Sequence, residues 1–233
     1  MFIPLRDINP TRRAPVVTYL LIAANLGVFI YQFLLLTPDQ NQRFVMQHAV
    51  IPHYLFSGYG PSLSTTVTSM FMHGGIGHLA SNMWFLHVFG DNVEDLLGPR
   101  RYLFFYLLTG VISAVTHSLI DPSSQVPLVG ASGAISGVLG AYIVMFPRAR
   151  VVTLVLFFLF EVPAFFFILF WFAIQVFSGF GALAAPSQAG VAFFAHVGGF
   201  LAGVSYVVIT GARTRRPAPY LGPRLSTRAL KRR

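Results

Sequence analysis

The 233-residue chain has no cysteine, which excludes disulfides, thiolate metal sites and a cysteine nucleophile. It is also short of charge: 10% of its residues are charged, against about 25% in an ordinary soluble domain. Acidic residues are scarcer still, 7 against 16 Lys and Arg. So few charges cannot cover a water-facing surface, whereas a lipid-facing surface needs none. With 55% hydrophobic residues and 24 Phe, the composition is that of an integral membrane protein. No internal repeat is visible, which argues against an inverted-repeat transporter.

What is present is a series of apolar runs, each near the roughly 20 residues a membrane-spanning helix needs. Spans are expected over residues 16–36, 78–97, 101–120, 132–146, 163–177 and 190–210. Gly98-Pro99, Asp121-Pro122 and Pro147 act as helix stops. Residues 37–77 read as a long mixed loop, partly in the membrane interface, and 178–189 as a loop of small residues. Residues 151–160 read as an interfacial or re-entrant piece. The predicted fold is therefore all-α and polytopic, with six transmembrane helices and both termini cytoplasmic. Its parts are a cytoplasmic N-terminal segment 1–15, a membrane domain 16–210 and a basic cytoplasmic tail 211–233. Arg6, Arg12 and Arg13 precede a run long enough to span and stay, so no cleavable leader is expected. This layout puts 15 of the 16 Lys and Arg on the inner side, with Arg43 outside. The net charge of +9 then marks the cytoplasmic face, with the tail on anionic lipid headgroups, and no nucleic-acid partner is implied.

Polar groups inside such helices are costly and tend to be functional. Three sites stand out. Gly130-Ala131-Ser132-Gly133 lies where a loop enters the fourth span, beside unpaired N–H groups and the positive end of the helix dipole. Those donors suit an oxyanion forming next to the serine, although serine also caps helices innocently. That helix, about 15 residues and roughly 22 Å long, falls short of a core of about 30 Å, so Ser132 is recessed. In Ala195-His196-Val197-Gly198-Gly199-Phe200-Leu201-Ala202-Gly203, His196, Gly199 and Gly203 form one helical stripe. Its glycines admit a neighbouring helix at backbone distance, and Gly133, Ser136, Gly137 and Gly140 offer the matching face. His196 is roughly 9 Å into its helix, a depth matching that of Ser132. A buried histidine bonded to a carbonyl would leave the same trace. Finally, His78 and Asn82, four apart, share a face and can both donate hydrogen bonds to an oxyanion. Zinc on His73 and His78 lacks a third ligand of suitable spacing, and neither a metal nor a cofactor is expected.

H-x4-H-x3-N, then G-A-S-G, then A-H-x-x-G-x-x-x-G, in that order from about Thr68 to Gly203, resembles the rhomboid intramembrane proteases. The resemblance implies six helices around a recessed hydrated cavity, with Ser132 as nucleophile and His196 as general base and then acid. The backbone N–H of Ser132 with His78 and Asn82 would form the oxyanion hole. Glu94, in a stretch resembling the family's second helix, would hold helices together near the inner side. Pro163-Ala164, Trp171-Phe172 and Gln175 resemble its fifth helix, which with the following loop would act as lateral gate and cap. Thr65-Thr66 stands where members often carry Trp-Arg. Ser136 stands where some carry a tyrosine packed on the histidine, leaving Phe193 and Phe194 as candidates for that role. The implied substrates are transmembrane proteins, reached from the lipid bilayer, and a prokaryotic plasma membrane with an outward-opening site suits the layout. A non-catalytic relative that escorts membrane proteins, or a small transporter, are the competing readings.

Overall fold

The computed structural model describes residues 2–56, 63–184 and 192–212. Nine α-helices and one three-stranded sheet occur among them. Four helical segments are long and apolar enough to cross a membrane: α1 (Val16–Ile30) with its continuation to Leu35, α6 (Pro99–Ile120), α8 (Ala164–Ala184, its window Ala164–Gly181) and α9 (Phe193–Thr210). Their outward faces are apolar and bare, Phe166 being 64% and Ile209 82% exposed, which only a lipid environment makes cheap. Helix α5 (Ile76–Leu97) is long enough, but His78, Asn82, His87, Asp91, Asn92, Glu94 and Asp95 dilute its hydropathy. Helix α7 (Ser132–Met145) is shorter.

Helix α7 forms the axis. Twelve of its 14 residues are buried, because α5, α6, α8 and α9 all pack against it. Small residues make this possible. A Cβ on Gly199 would lie 2.0 Å from the Gly133 carbonyl oxygen, one on Gly203 2.0 Å from that of Gly137, and one on Gly140 2.1 Å from that of Phe200. Helices α7 and α9 thus touch backbone to backbone, as the spacing predicts. The bare faces of Gly133 and Gly137 themselves turn toward Ser113 and Thr109 of α6, so these two glycines serve two interfaces.

The loop expected over 37–77 contains much local helix: α2 (Pro38–His48), α3 (Pro52–Leu55), α4 (Thr65–Thr68) and a 3-10 turn Ser69–Phe71. Helix α2 starts at a capping box, in which Gln40 N–H donates to Thr37 Oγ1 and Thr37 N–H to Gln40 Oε1. Thr65 and Thr66 are buried, and Thr66 Oγ1 donates to the Leu63 carbonyl at 2.7 Å. Residues 57–62 lie outside the description.

Two expectations need correction, and the first changes the fold class from all-α to mostly helical with one small sheet. Residues 151–160 belong to a hairpin, β2 (Arg150–Val155) and β3 (Phe158–Pro163), which β1 (Phe2–Asp7) extends into an antiparallel sheet. The β-branched run in β2 buries Val151 and Thr153 on one face, a period of two. In β3, Phe158, Leu159 and Phe160 are exposed on both faces, so the pattern looked uniformly apolar. Helix α8 also continues through 178–184, which small residues had marked as loop. Gly179 serves packing instead, since a Cβ there would press on Phe193 and Phe194 at 3.3 Å. The remainder of that expected loop (185–189), the first two residues of the expected sixth span (190–191) and the basic tail from 213 lie outside the described residues.

Glu94 and Asp7 tie the far end of the bundle together. Pro15 gives α1 no side-chain cap. Glu94 of α5 instead accepts from Val17 N–H (2.9 Å), Thr18 N–H (2.8 Å) and Thr18 Oγ1 (2.8 Å), which satisfies orphan donors and places a carboxylate at the helix's positive end. Asp7 Oδ2 accepts from Tyr142 of α7 at 2.6 Å and from Asn92 of α5 at 2.8 Å, and Trp84 donates to the Pro4 carbonyl. The N-terminal strand is therefore docked on the bundle.

Candidate active site

Ser132 is the first residue of α7, so its N–H has no partner within the helix. Gly130 directs the chain into it. With φ +126°, it adopts a conformation that side-chain-bearing residues rarely tolerate, and its N–H donates to the Ser69 carbonyl at 2.9 Å. A Cβ here would also lie 2.8 Å from His78 Nε2 and 3.6 Å from Asn82 Nδ2. The imidazole and the amide therefore close around the backbone two residues before Ser132, within α7's N-terminal field.

His196, buried in the first turn of α9, meets Ser132 across the α7–α9 contact. Its Nε2 lies 2.8 Å from Ser132 Oγ. The two residues are 64 apart in the chain, and the glycine seam below them sets their separation. Ser113 of α6 braces the histidine's own turn by donating to the Ala195 carbonyl at 2.7 Å. On the other side of the ring, Nδ1 lies 2.7 Å from Gln175 Oε1, and the indole of Trp171 packs at 6.0 Å and 37°. Both come from α8. Among the described residues the ring that packs on His196 is therefore Trp171 and not Phe193 or Phe194, and Phe194 packs on Phe180. Ser136, where a tyrosine was one option, donates to the Ser132 carbonyl at 2.6 Å.

Asn82, only 6% exposed, uses Nδ2 to donate to His73 Nε2 at 2.9 Å. One amide hydrogen is thereby fixed, and a second is left to donate. His73 is itself buried; desolvation first, and then the neighbouring His78, push its pKa down to about 4, so it stays neutral and able to accept. The rings of His73 and His78 meet edge to face at 5.0 Å. Among the described residues no three His, Cys, Asp or Glu side chains gather as metal ligands.

Sequence reasoning singled out Ser132, His196, His78 and Asn82, and the fold brings all four to one end of α7. It gave His73 no role beyond a rejected ligand, and Gln175 only a place in a pattern. A lone amide in an otherwise apolar helix, four residues after Trp171, was the available signal. The other histidines pack locally: His48 Nδ1 lies 2.9 Å from the Phe44 carbonyl, His87 stacks on Tyr19, and His53 meets Tyr54 edge-on. His117 Nδ1 is buried without a partner among the described residues.

Residues 61–213 match the family model described as "Rhomboid domain". Among similar proteins, the mitochondrial RHOMBOID-like protein 12 of Arabidopsis thaliana is 33% identical over 160 residues, covering 62% of this chain and 45% of the relative. The mitochondrial rhomboid protein 1 of Saccharomyces cerevisiae is 27% identical over 197 residues, 80% of this chain and 52% of its own length. Rhomboid protease GluP of Bacillus subtilis is 40% identical over 75 residues, 32% of this chain and 14% of that protein. The chain spans about half the length of the first two.

Proposed function

The chain belongs to the rhomboid family, and we propose that it is an intramembrane serine endopeptidase that cuts peptide bonds in or near transmembrane segments. The observation that carries this reading is the 2.8 Å approach of Ser132 Oγ to His196 Nε2 from two separate helices. In the proposed reaction, Nε2 takes the hydroxyl proton as Oγ attacks the carbonyl carbon, and later returns it to the leaving amine. The oxyanion is met by the Ser132 N–H at the start of α7 and by His78 and Asn82. Hydrolysis of the acyl-enzyme repeats the sequence with water in place of Oγ. No acid enters the relay, since a neutral amide faces Nδ1.

Six spans are proposed, α5 and α7 joining the four apolar segments. Helix α7 is sheathed by its neighbours and so does not need a full hydrocarbon length, and Asn82, Asn92 and Glu94 of α5 are buried within the bundle. Both termini are placed in the cytoplasm, by the distribution of Lys and Arg, which opens the site to the outer side of a prokaryotic plasma membrane. A substrate helix has its peptide groups paired internally, so cleavage needs local unwinding, which favours segments with Gly, Pro or other weak helix formers near the cut. Entry past α8, the gate of this reading, brings such a segment to Ser132 from lipid.

The test uses purified protein in liposomes with a helical transmembrane reporter. Cleavage by the wild type that disappears in both Ser132→Ala and His196→Ala supports the proposal. Cleavage that persists in either variant removes the dyad, and a wild type inert on a panel of such reporters removes the activity.

A further inference from the structure

Helix α8 does more than border the site: we infer that Gln175 is a positioning residue that fixes the tautomer of His196 from the gate helix. The inference rests on the dyad reading above. Its starting point is a directional chain of polar contacts. The carbonyl of Trp171 can only accept, and Gln175 Nε2 faces it at 3.5 Å. The amide oxygen is thereby turned to His196, and Oε1 stands 2.7 Å from Nδ1. An oxygen there requires the proton on Nδ1, which leaves the lone pair on Nε2 facing the Ser132 hydroxyl at 2.8 Å. A nucleophile needs that tautomer and no other. Gln175 is only 8% exposed, so water does not compete strongly for the amide.

The contact also links chemistry to gating. Ring and amide supports for His196 both sit on α8, four residues apart, and Phe172 of the same helix stacks on Phe200 of α9 at 4.2 Å. Helix α8 is the less buried of the two, 28% of its spanning window against 39% for α9. A displacement of α8 from α9 would therefore remove both supports of His196 together.

Gln175→Met keeps side-chain volume and removes the acceptor. Gln175→Glu keeps the acceptor and adds a charge. Among the described residues, the other titratable side chains whose charge acts on His196 are His78 on α5 and His117 on α6; α7, α8 and α9 carry no charged residue. A carboxylate at 175 would thus be the only acid beside the imidazole, stabilising its protonated form.

The experiment combines turnover of the reporter with the imidazole nitrogen NMR spectrum of 15N-histidine protein, His196 being assigned by difference from His196→Asn. The wild type is expected to show Nδ1 protonated and Nε2 bare. In Gln175→Met that signal gives way to a mixture of tautomers, and kcat falls on the order of 10²-fold with KM within twofold. Gln175→Glu recovers most of the lost kcat, and its acid limb moves to higher pH by a unit or more. A bare Nδ1 in the wild type, an unchanged tautomer in Gln175→Met, or a changed tautomer with wild-type turnover each overturns the inference. A wild type that shows the lock, loses it in Gln175→Met and yet cleaves nothing upholds the lock while the protease reading falls.

Discussion

Gly199→Ala tests whether the glycine seam sets the distance between nucleophile and base. The added methyl carbon would stand 2.0 Å from the Gly133 carbonyl oxygen, whereas ordinary contact begins near 3.4 Å. The two backbones must therefore part by about 1.4 Å. The obstacle is helix backbone in the buried axis of the molecule, so no flexible tip absorbs the shift. Gly133 directly follows Ser132, and Gly199 lies one turn after His196, so little of the displacement is lost on the way to the dyad. The 2.8 Å approach of Oγ to Nε2 opens to about 4 Å, beyond hydrogen-bond range. A misplacement of about 1 Å costs on the order of 10²-fold in rate, which is about 2.7 kcal/mol of barrier. Overpacking itself costs about 1–3 kcal/mol of stability. The assay is kcat on a helical reporter in liposomes, with a thermal-shift midpoint to certify folding. Gly27→Ala is the control, since a Cβ there meets nothing within 4 Å and alanine favours the helix. A folded Gly199→Ala that turns over within threefold of the wild type refutes the argument.

Three further outcomes are expected. Asn82→Ala lowers kcat on the order of 10²-fold with little change in KM, because its free amide hydrogen acts only on developing charge; steady-state kinetics showing the reverse split would count against an oxyanion role. Glu94→Ala leaves buried donors of Val17 and Thr18 unpaired and destabilises the protein by about 3 kcal/mol, read as a lowered thermal-shift midpoint beside a Glu94→Gln variant that loses less. For Asp7, burial first and the charge of Asp91 among lesser causes raise the carboxyl from 3.8 to about 7. A folded value above the unfolded one means that ionisation opposes folding. The stability advantage of the neutral carboxyl is complete below 3.8 and lost as pH climbs through about 7. The midpoint of the wild type relative to Asp7→Asn should fall across that window; a difference independent of pH would contradict this.

Much of the membrane-embedded architecture was legible because hydrophobic runs, proline stops and glycine periods report directly on helices. The Gly199 and Gly203 stripe even named its partner helix, since only small residues permit such an approach. What failed was the sheet. Strand β3 is apolar on both faces and therefore shows no period of two, and β1, the outer partner of β2, lies almost 150 residues away in the chain. The capping box of Thr37 and Gln40 leaves a T-x-x-Q signature, which the reading of 37–77 as a mixed loop did not use. At the site, Ser132, His196, His78 and Asn82 carry their own signatures. Their supports do not: His73, Trp171 and Gln175 act through tertiary contacts, and a glutamine in an apolar helix does not announce which nitrogen it will face. Phe193 and Phe194 were sought as the histidine's support from proximity in sequence, whereas the structure supplies it from another helix.

The most direct test of the account is where a fluorophosphonate goes. Wild-type protein in detergent or liposomes, treated with the probe and digested, should carry a single adduct on Ser132 by mass spectrometry, and His196→Ala should carry almost none over the same time. An adduct on a different serine, or labelling of Ser132 at an undiminished rate without the imidazole, would contradict the claim that these two side chains work as one.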